Sequence, residues 1–344
     1  MMKVRLWSLL SVLLGVVVAP APAAADPIAD FYTGKTMTMV VATSPGGDYD
    51  RIGRLLARHM VRFIPGEPHM IVRNMPGGVG IQAANWLASI APRDGTSLHM
   101  LIQNMPAHQA LGGLGVEFDT RRFFFVGNVS NSVNVLNSWY TTGIRTIEDA
   151  KQRELIVGAP GTATAGVYYP KVMNALFGTK FKIVMGFPNG NDVNLAMERG
   201  EVGGRGSNTW RSYQTTHPDW IKEKKIIPLV QIGLSRHPDL ADLPLLTELA
   251  QNEADRELLH FISADVGIAR AVVTTPETPP ERVQALRRAF DATVKDREFL
   301  AEAEKIQIDV SPLSGEEAQK IADSIVNTSP AILDRIKALL GGPK

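Results

Sequence analysis

Thr38-Met39-Val40-Val41-Ala42-Thr43-Ser44-Pro45-Gly46-Gly47-Asp48-Tyr49-Asp50 is the stretch on which the reading of this chain turns. Residues 38–42 form a short apolar run of strand type, and Ser44-Pro45-Gly46-Gly47 breaks it. Ile52, Leu55, Leu56, Met60 and Phe63 then recur at helical spacing, with Arg51, Arg54, Arg58 and Arg62 on the other side. Gly46 and Gly47 let backbone N–H groups approach a ligand, and the following helix turns its positive end to the same spot. Such a terminus suits a carboxylate. The same residues also describe a plain tight turn with Asp48 as N-cap, whose own carboxylate would occupy those N–H groups.

The pattern repeats outward from this stretch. Met70-Ile71-Val72 leads into Asn74-Met75-Pro76-Gly77-Gly78, a helix is expected over 80–90, and residues 97–102 read as a third strand. Residues 154–157 lead into Gly158-Ala159-Pro160-Gly161-Thr162-Ala163-Thr164 and a helix around 168–177, a second glycine-rich helix entrance. Lys182-Ile183-Val184-Met185, Gly186-Phe187-Pro188-Asn189-Gly190 and a helix to about Arg199 follow, then a strand over 226–232. The tail carries an amphipathic helix after Pro279-Pro280 and one last helix over about 316–340. Repeated βα units predict mostly parallel, helix-covered sheets. Two α/β lobes with a cleft between them fit this order, and clefts between domains are preferred ligand sites.

Composition excludes several classes. The 344 residues are 44% apolar and 21% charged, with 36 Lys and Arg against 35 Asp and Glu. Such a length favours two domains. A charge of +1 gives no footing for nucleic acid. With no Cys there is no disulfide frame, thiolate metal site, thiol nucleophile or Cys-linked lipid anchor. Gly78-Val79-Gly80-Ile81-Gln82-Ala83 matches G-x-G-x-x-A, but Pro76 abuts the strand and no strand-end acid stands about 20 residues on. The seven histidines are scattered without metal spacing and suit surface or structural roles. Trp86 and Met60 fall at core spacing; Trp139 and Tyr140 are weighed between core and cleft.

Residues 1–25 have the three-part order of a secretory signal peptide: Lys3 and Arg5, an apolar run over 6–19, then small residues ending at Ala25. The expectation is cleavage there, export, and a soluble periplasmic protein without a lipid tether. Loss of two cations leaves one net negative charge.

The mature chain resembles the Bug/TctC solute-binding proteins of tripartite tricarboxylate transporters. The likeness rests on Met39 through Asp50 and Ala57, on Asn74, Pro76, Gly77 and Gly80, and on Ala91-Pro92-Arg93-Asp94-Gly95-Thr96. It continues through Gly158 to Gly166, Leu240-Ala241-Asp242-Leu243-Pro244 and Thr275-Pro276-Glu277-Thr278-Pro279, spanning most of residues 30–340. The resemblance implies a two-lobed, type II-like periplasmic binding protein (a Venus flytrap). Lobe 1 would hold residues 26–130 plus 262–344, and lobe 2 residues 131–261. It implies a monomer with no cofactor or metal that closes on a small organic acid and passes it to a permease with one large and one small transmembrane subunit. Carried onto this chain, the ligand residues are Thr43, Ser44, Pro45, Gly46, Gly47, Asp48 and Tyr49, with Gly161, Thr162, Ala163 and Thr164. Asn104 and Phe187 stand on the rim. Thr43, Asp48, the Phe187 turn and Val202-Gly203 depart from the family pattern, and residues 209–220 have no clear counterpart. Arg205 and Ser207 are therefore added as candidates, Arg205 as a direct partner for a carboxylate. The other readings are a sensor module presenting its ligand to a receptor kinase, a TRAP-type receptor, and an exported hydrolase, for which no nucleophile–base motif is assembled.

Overall fold

The computed structural model describes residues 26–161, 164–188 and 190–340. The expected signal peptide, Thr162 and Ala163 therefore lie outside the described residues. Eleven strands are described: β1 Thr36–Val41, β2 His69–Asn74, β3 Ser97–Leu101, β4 Phe124–Asn128, β5 Asn134–Trp139, β6 Leu155–Ala159, β7 Phe181–Met185, β8 Gly204–Thr209, β9 Ile226–Ile232, β10 Ala271–Thr274 and β11 Leu313–Ser314. They form two sheets, one ordered β11-β4-β10-β3-β1-β2 and the other β7-β6-β8-β5-β9.

The parallel pairs are those of the βα units: β1 with β2 and β3, and β6 with β7 and β8. Strands that return across a sheet pair antiparallel, as β10 does with β3 and β4, and β5 with β8 and β9. Both sheets are thus more mixed than the βα repeat implied. The chain passes between the sheets twice, from β4 to β5 and from β9 to β10. These two crossings run side by side: Val129 N–H donates to the Arg270 carbonyl (3.1 Å) and Ser132 N–H to the Val266 carbonyl (2.8 Å).

Packing explains the elements. Ile52, Leu55, Leu56 and Met60 of the helix Asp48–Met60 are buried with Met37, Met39, Leu98 and Phe290 against the first sheet. On the second sheet Val135, Met197, Trp210, Tyr213 and Trp220 form a separate cluster. Trp139 belongs to that cluster, 6% exposed and edge-to-face on Trp220 at 4.8 Å, so its role is core and not cleft. The last helix is two helices, Gly315–Val326 and Pro330–Leu340. Pro330 has no N–H to continue the ladder, and Ser314 with Glu317 closes a capping box at the first one's start. The second of them reaches the other lobe, where Lys171 donates to the Leu340 carbonyl at 2.9 Å. Among the described residues no helix is long and apolar enough to cross a membrane.

Candidate functional site

The first entrance is built around Asp50. Gly47, not Asp48, is the helix N-cap, and it makes no side-chain cap bond. Gly46 takes φ +90°, a left-handed turn that only glycine enters cheaply. The carboxylate of Asp50, 3% exposed, accepts the Gly46 N–H (2.9 Å), Arg54 Nε (2.9 Å) and Asn74 Nδ2 (2.8 Å). Asn74 Nδ2 also donates to the Thr43 carbonyl (2.9 Å), which ties the end of β2 to the loop. Burial pushes the Asp50 carboxyl up, but the three hydrogen bonds outweigh it and hold the group at about 2. Asp50 thus anchors the turn from behind while residues 44–48 stay exposed.

Asp48 turns aside. Its carboxylate lies 3.7 Å from Arg51 and 3.4 Å from Arg270, so it does not cap the helix as one reading of the sequence had it. Tyr49 donates its hydroxyl to the Ala269 carbonyl (2.9 Å) and accepts the Gln103 N–H (3.3 Å). The first entrance is thereby fastened to the crossing segment that precedes β10.

The second entrance follows β6. Thr164 stands at the N-cap of the helix Ala165–Phe177 without a cap bond; its hydroxyl donates to the Gly161 carbonyl at 2.7 Å. This helix presses on β8 so closely that a methyl on Gly206 would sit 2.0 Å from the Gly166 carbonyl. Along β8, Arg205, Ser207 and Thr209 share the half-buried face. Arg205 donates through Nε to the Ser207 carbonyl (2.9 Å) and through Nη1 to Asn194 Oδ1 (2.8 Å). Burial lowers its pKa while the neighbouring Tyr213 phenol opposes that shift. Phe187 lies half-buried against the second-sheet cluster, beside Gly158.

Two cavities join residues of the two sheets. One, of about 330 Å³, brings Asp48 and Arg51 together with Ser130, Thr209, Ser212 and Arg270. The stretch 209–220 supplies one wall through the short helix Trp210–Thr216, capped by the Thr209 hydroxyl. The other, of about 270 Å³, joins Asn104 to Val167, Tyr168 and Asp265. Thr43 Oγ1, Asn104 Oδ1, Asn134 Oδ1, Asn208 Nδ2 and Asp265 Oδ1 are buried without a hydrogen-bond partner among the described residues. They stand after β1, after β3, at the start of β5, near the end of β8 and ahead of β10. Unpaired buried polar atoms are costly, and a polar guest reaching any of them would relieve that cost. Burial pushes Asp265 up to about 7.

Sequence reasoning had passed over Gln103, Asn134, Asp265 and Arg270. Asn134 and Asn137 interrupt an otherwise apolar run, which is the one signal they offered. His59, Asp296 and Glu298 have ligand atoms within 4.8 Å of one another, the one metal-type group among the described residues. The Arg62 guanidinium already pairs with both carboxylates there.

A TctC solute-binding protein from Polaromonas, solved without ligand, superposes with a TM-score of 0.69 over 90% of this chain and 99% of that one, at 18% identity. The chain has the two-lobed α/β fold of the TctC and Bug solute-binding proteins. The same TctC-type fold is shared with an R. palustris protein with adipate (TM-score 0.58, 19% identity, 89% of this chain and 97% of that one). It is shared too with MatC from Rhodopseudomonas palustris with bound malate (TM-score 0.55, 17% identity, 89% and 99%). No family model matches the sequence, and no curated protein matches it. In this chain the two glycine-rich entrances follow strands of different sheets, one after β1 and one after β6.

Proposed function

We propose that this chain is a solute-binding protein of the Bug/TctC kind that captures a small organic acid between its lobes. The lobes are residues 26–130 with 262–344, and residues 131–261. The first helix entrance, residues 43–49, grips the acid from one side; residues 161–164 with Ser207 grip it from the other, with Asn104 and Phe187 at the rim. Arg205, set behind Ser207, adds a positive charge to the second wall. The observation that carries the reading is that two glycine-rich helix entrances, neither with a side-chain cap bond, follow strands of different sheets, and each N-terminus favours an anion. The fold-sharing structures with adipate and malate support the choice of a carboxylate. Capture favours the closed arrangement, which a tripartite permease then receives. An N-terminal signal peptide takes the chain to the periplasm, and its near-balanced charge leaves recognition to these local devices.

A thermal-shift screen of dicarboxylates, tricarboxylates, aromatic acids and amino acids tests the reading. An acid at 100 times its dissociation constant adds about 2.7 kcal/mol of stability. A flat response across the whole panel contradicts acid capture.

A further inference from the structure

The cavity of about 270 Å³ beside Asn104 has Asn104, His108, Tyr168, Lys171 and Asp265 as its polar lining. Four helices wall it, Met105–Ala110, Ala165–Phe177, Glu253–Ala264 and Pro330–Leu340, and most of its lining is apolar, with Leu111, Val167, Phe261 and Ile336 prominent. Its polar corner holds Asn104 and Asp265, whose Oδ1 atoms are both buried and unpartnered. Both atoms are unmet acceptors, and a cationic guest beside Asp265 holds it ionised against the burial that favours its neutral form. A carboxylate guest would set its own acceptors against them. Lys171, which also lines the cavity, has its ammonium on the Leu340 carbonyl at 2.9 Å.

We infer that this cavity is a second ligand compartment, taking a small apolar amine whose ammonium bonds to Asp265 and Asn104. An ammonium brings three donors and no acceptor, the complement of this corner. Benzene fills a cavity of ~150 Å³, so the present volume takes a ring with a short chain, roughly nine or ten non-hydrogen atoms. Because Asn104 also stands at the rim of the proposed acid cleft, the compartment adjoins that cleft without depending on acid capture.

Calorimetric titration of the full mature chain with 2-phenylethylamine, against 3-phenylpropionate of similar size, tests the inference. The amine binds, and the acid binds at least about tenfold more weakly, the worth of a buried charge-assisted hydrogen bond. Asp265→Asn, which keeps the shape and removes the charge, weakens the amine by at least about tenfold while leaving the response to dicarboxylates in place. Ala107→Leu, which narrows the cavity without touching its polar corner, also weakens the amine and covers the case in which Asp265→Asn misfolds. No binding of the amine at millimolar concentration overturns the inference. So does tighter binding of phenylpropionate, or unchanged amine affinity in the folded variants.

Discussion

The guanidinium carbon of Arg270 lies 4.4 Å from the ring centroid of Tyr49, the second residue of the helix Asp48–Met60. Tyr49 in turn donates to the carbonyl of Ala269, so the loop proposed to grip the ligand is bonded to a segment that crosses between sheets. Tyr49→Phe keeps the ring under Arg270 and removes the hydroxyl, leaving the Ala269 carbonyl and the Gln103 N–H without it. The expected loss is about 1–2 kcal/mol, seen as a lower urea midpoint with an unchanged slope.

His99 gives the protein a pH dependence near neutrality. Fully buried on β3, it bonds the Val40 carbonyl through Nδ1 at 3.0 Å, and burial lowers its pKa to about 4. The unfolded chain binds this proton near pH 6.5 and the folded chain does not until about 4. Stability is therefore full above that range and falls as pH drops through it, by at most about 3 kcal/mol. Urea unfolding of wild type and His99→Gln at pH 7.5, 6 and 4.5 checks this; the variant's profile is flatter over that range.

Asp50 acts in a lower window with the usual carboxylate sign. Held at about 2 from an ordinary 3.8, it contributes fully above pH 4, and that contribution disappears as pH falls toward 2. The amount is about 2 kcal/mol. Asp50→Asn loses it at neutral pH and removes the slope between pH 4 and 2, a range separate from that of His99.

Gly206→Ala pushes against the Gly166 carbonyl and moves the second helix entrance off β8. Overpacking of this kind costs about 1–3 kcal/mol. Acid affinity falls with stability in this variant, because the displaced residues are the proposed second wall; equal affinity in a folded Gly206→Ala protein removes residues 161–164 from the site.

The legible part of the fold was the part written in periodicity. Alternation of short apolar runs, glycine turns and 3.6-residue spacing marked β1, β2, β3, β6, β7 and β9 and the helices after β1, β2, β6 and β7. Among the strands that pair antiparallel, β4, β8, β10 and β11 carried no such mark. β8 reads Gly-Arg-Gly-Ser-Asn-Thr, a strand by its neighbours β5 and β6 and not by its own residues. β5 is buried throughout although it contains Asn134, Asn137 and Ser138, because Tyr213 donates to Asn137 and Ser138 donates to the Ile144 carbonyl. At the candidate site the first loop was legible as far as its glycines. That Asp50 takes the Gly46 N–H while Asp48 pairs with arginines depends on Asn74, Arg54 and Arg270, which come from elsewhere in the fold. Asp265 could not be found from sequence, since what sets it apart is its burial beside Asn104.

The central claim is recognition of a carboxylate between two helix entrances. Isothermal titration of the most stabilising acid from the thermal-shift panel, alongside its neutral amide, tests it most directly. One acid bound per chain and no measurable heat from the amide is the expected result. Equal affinity for acid and amide, or no binding of any acid in the panel, contradicts it.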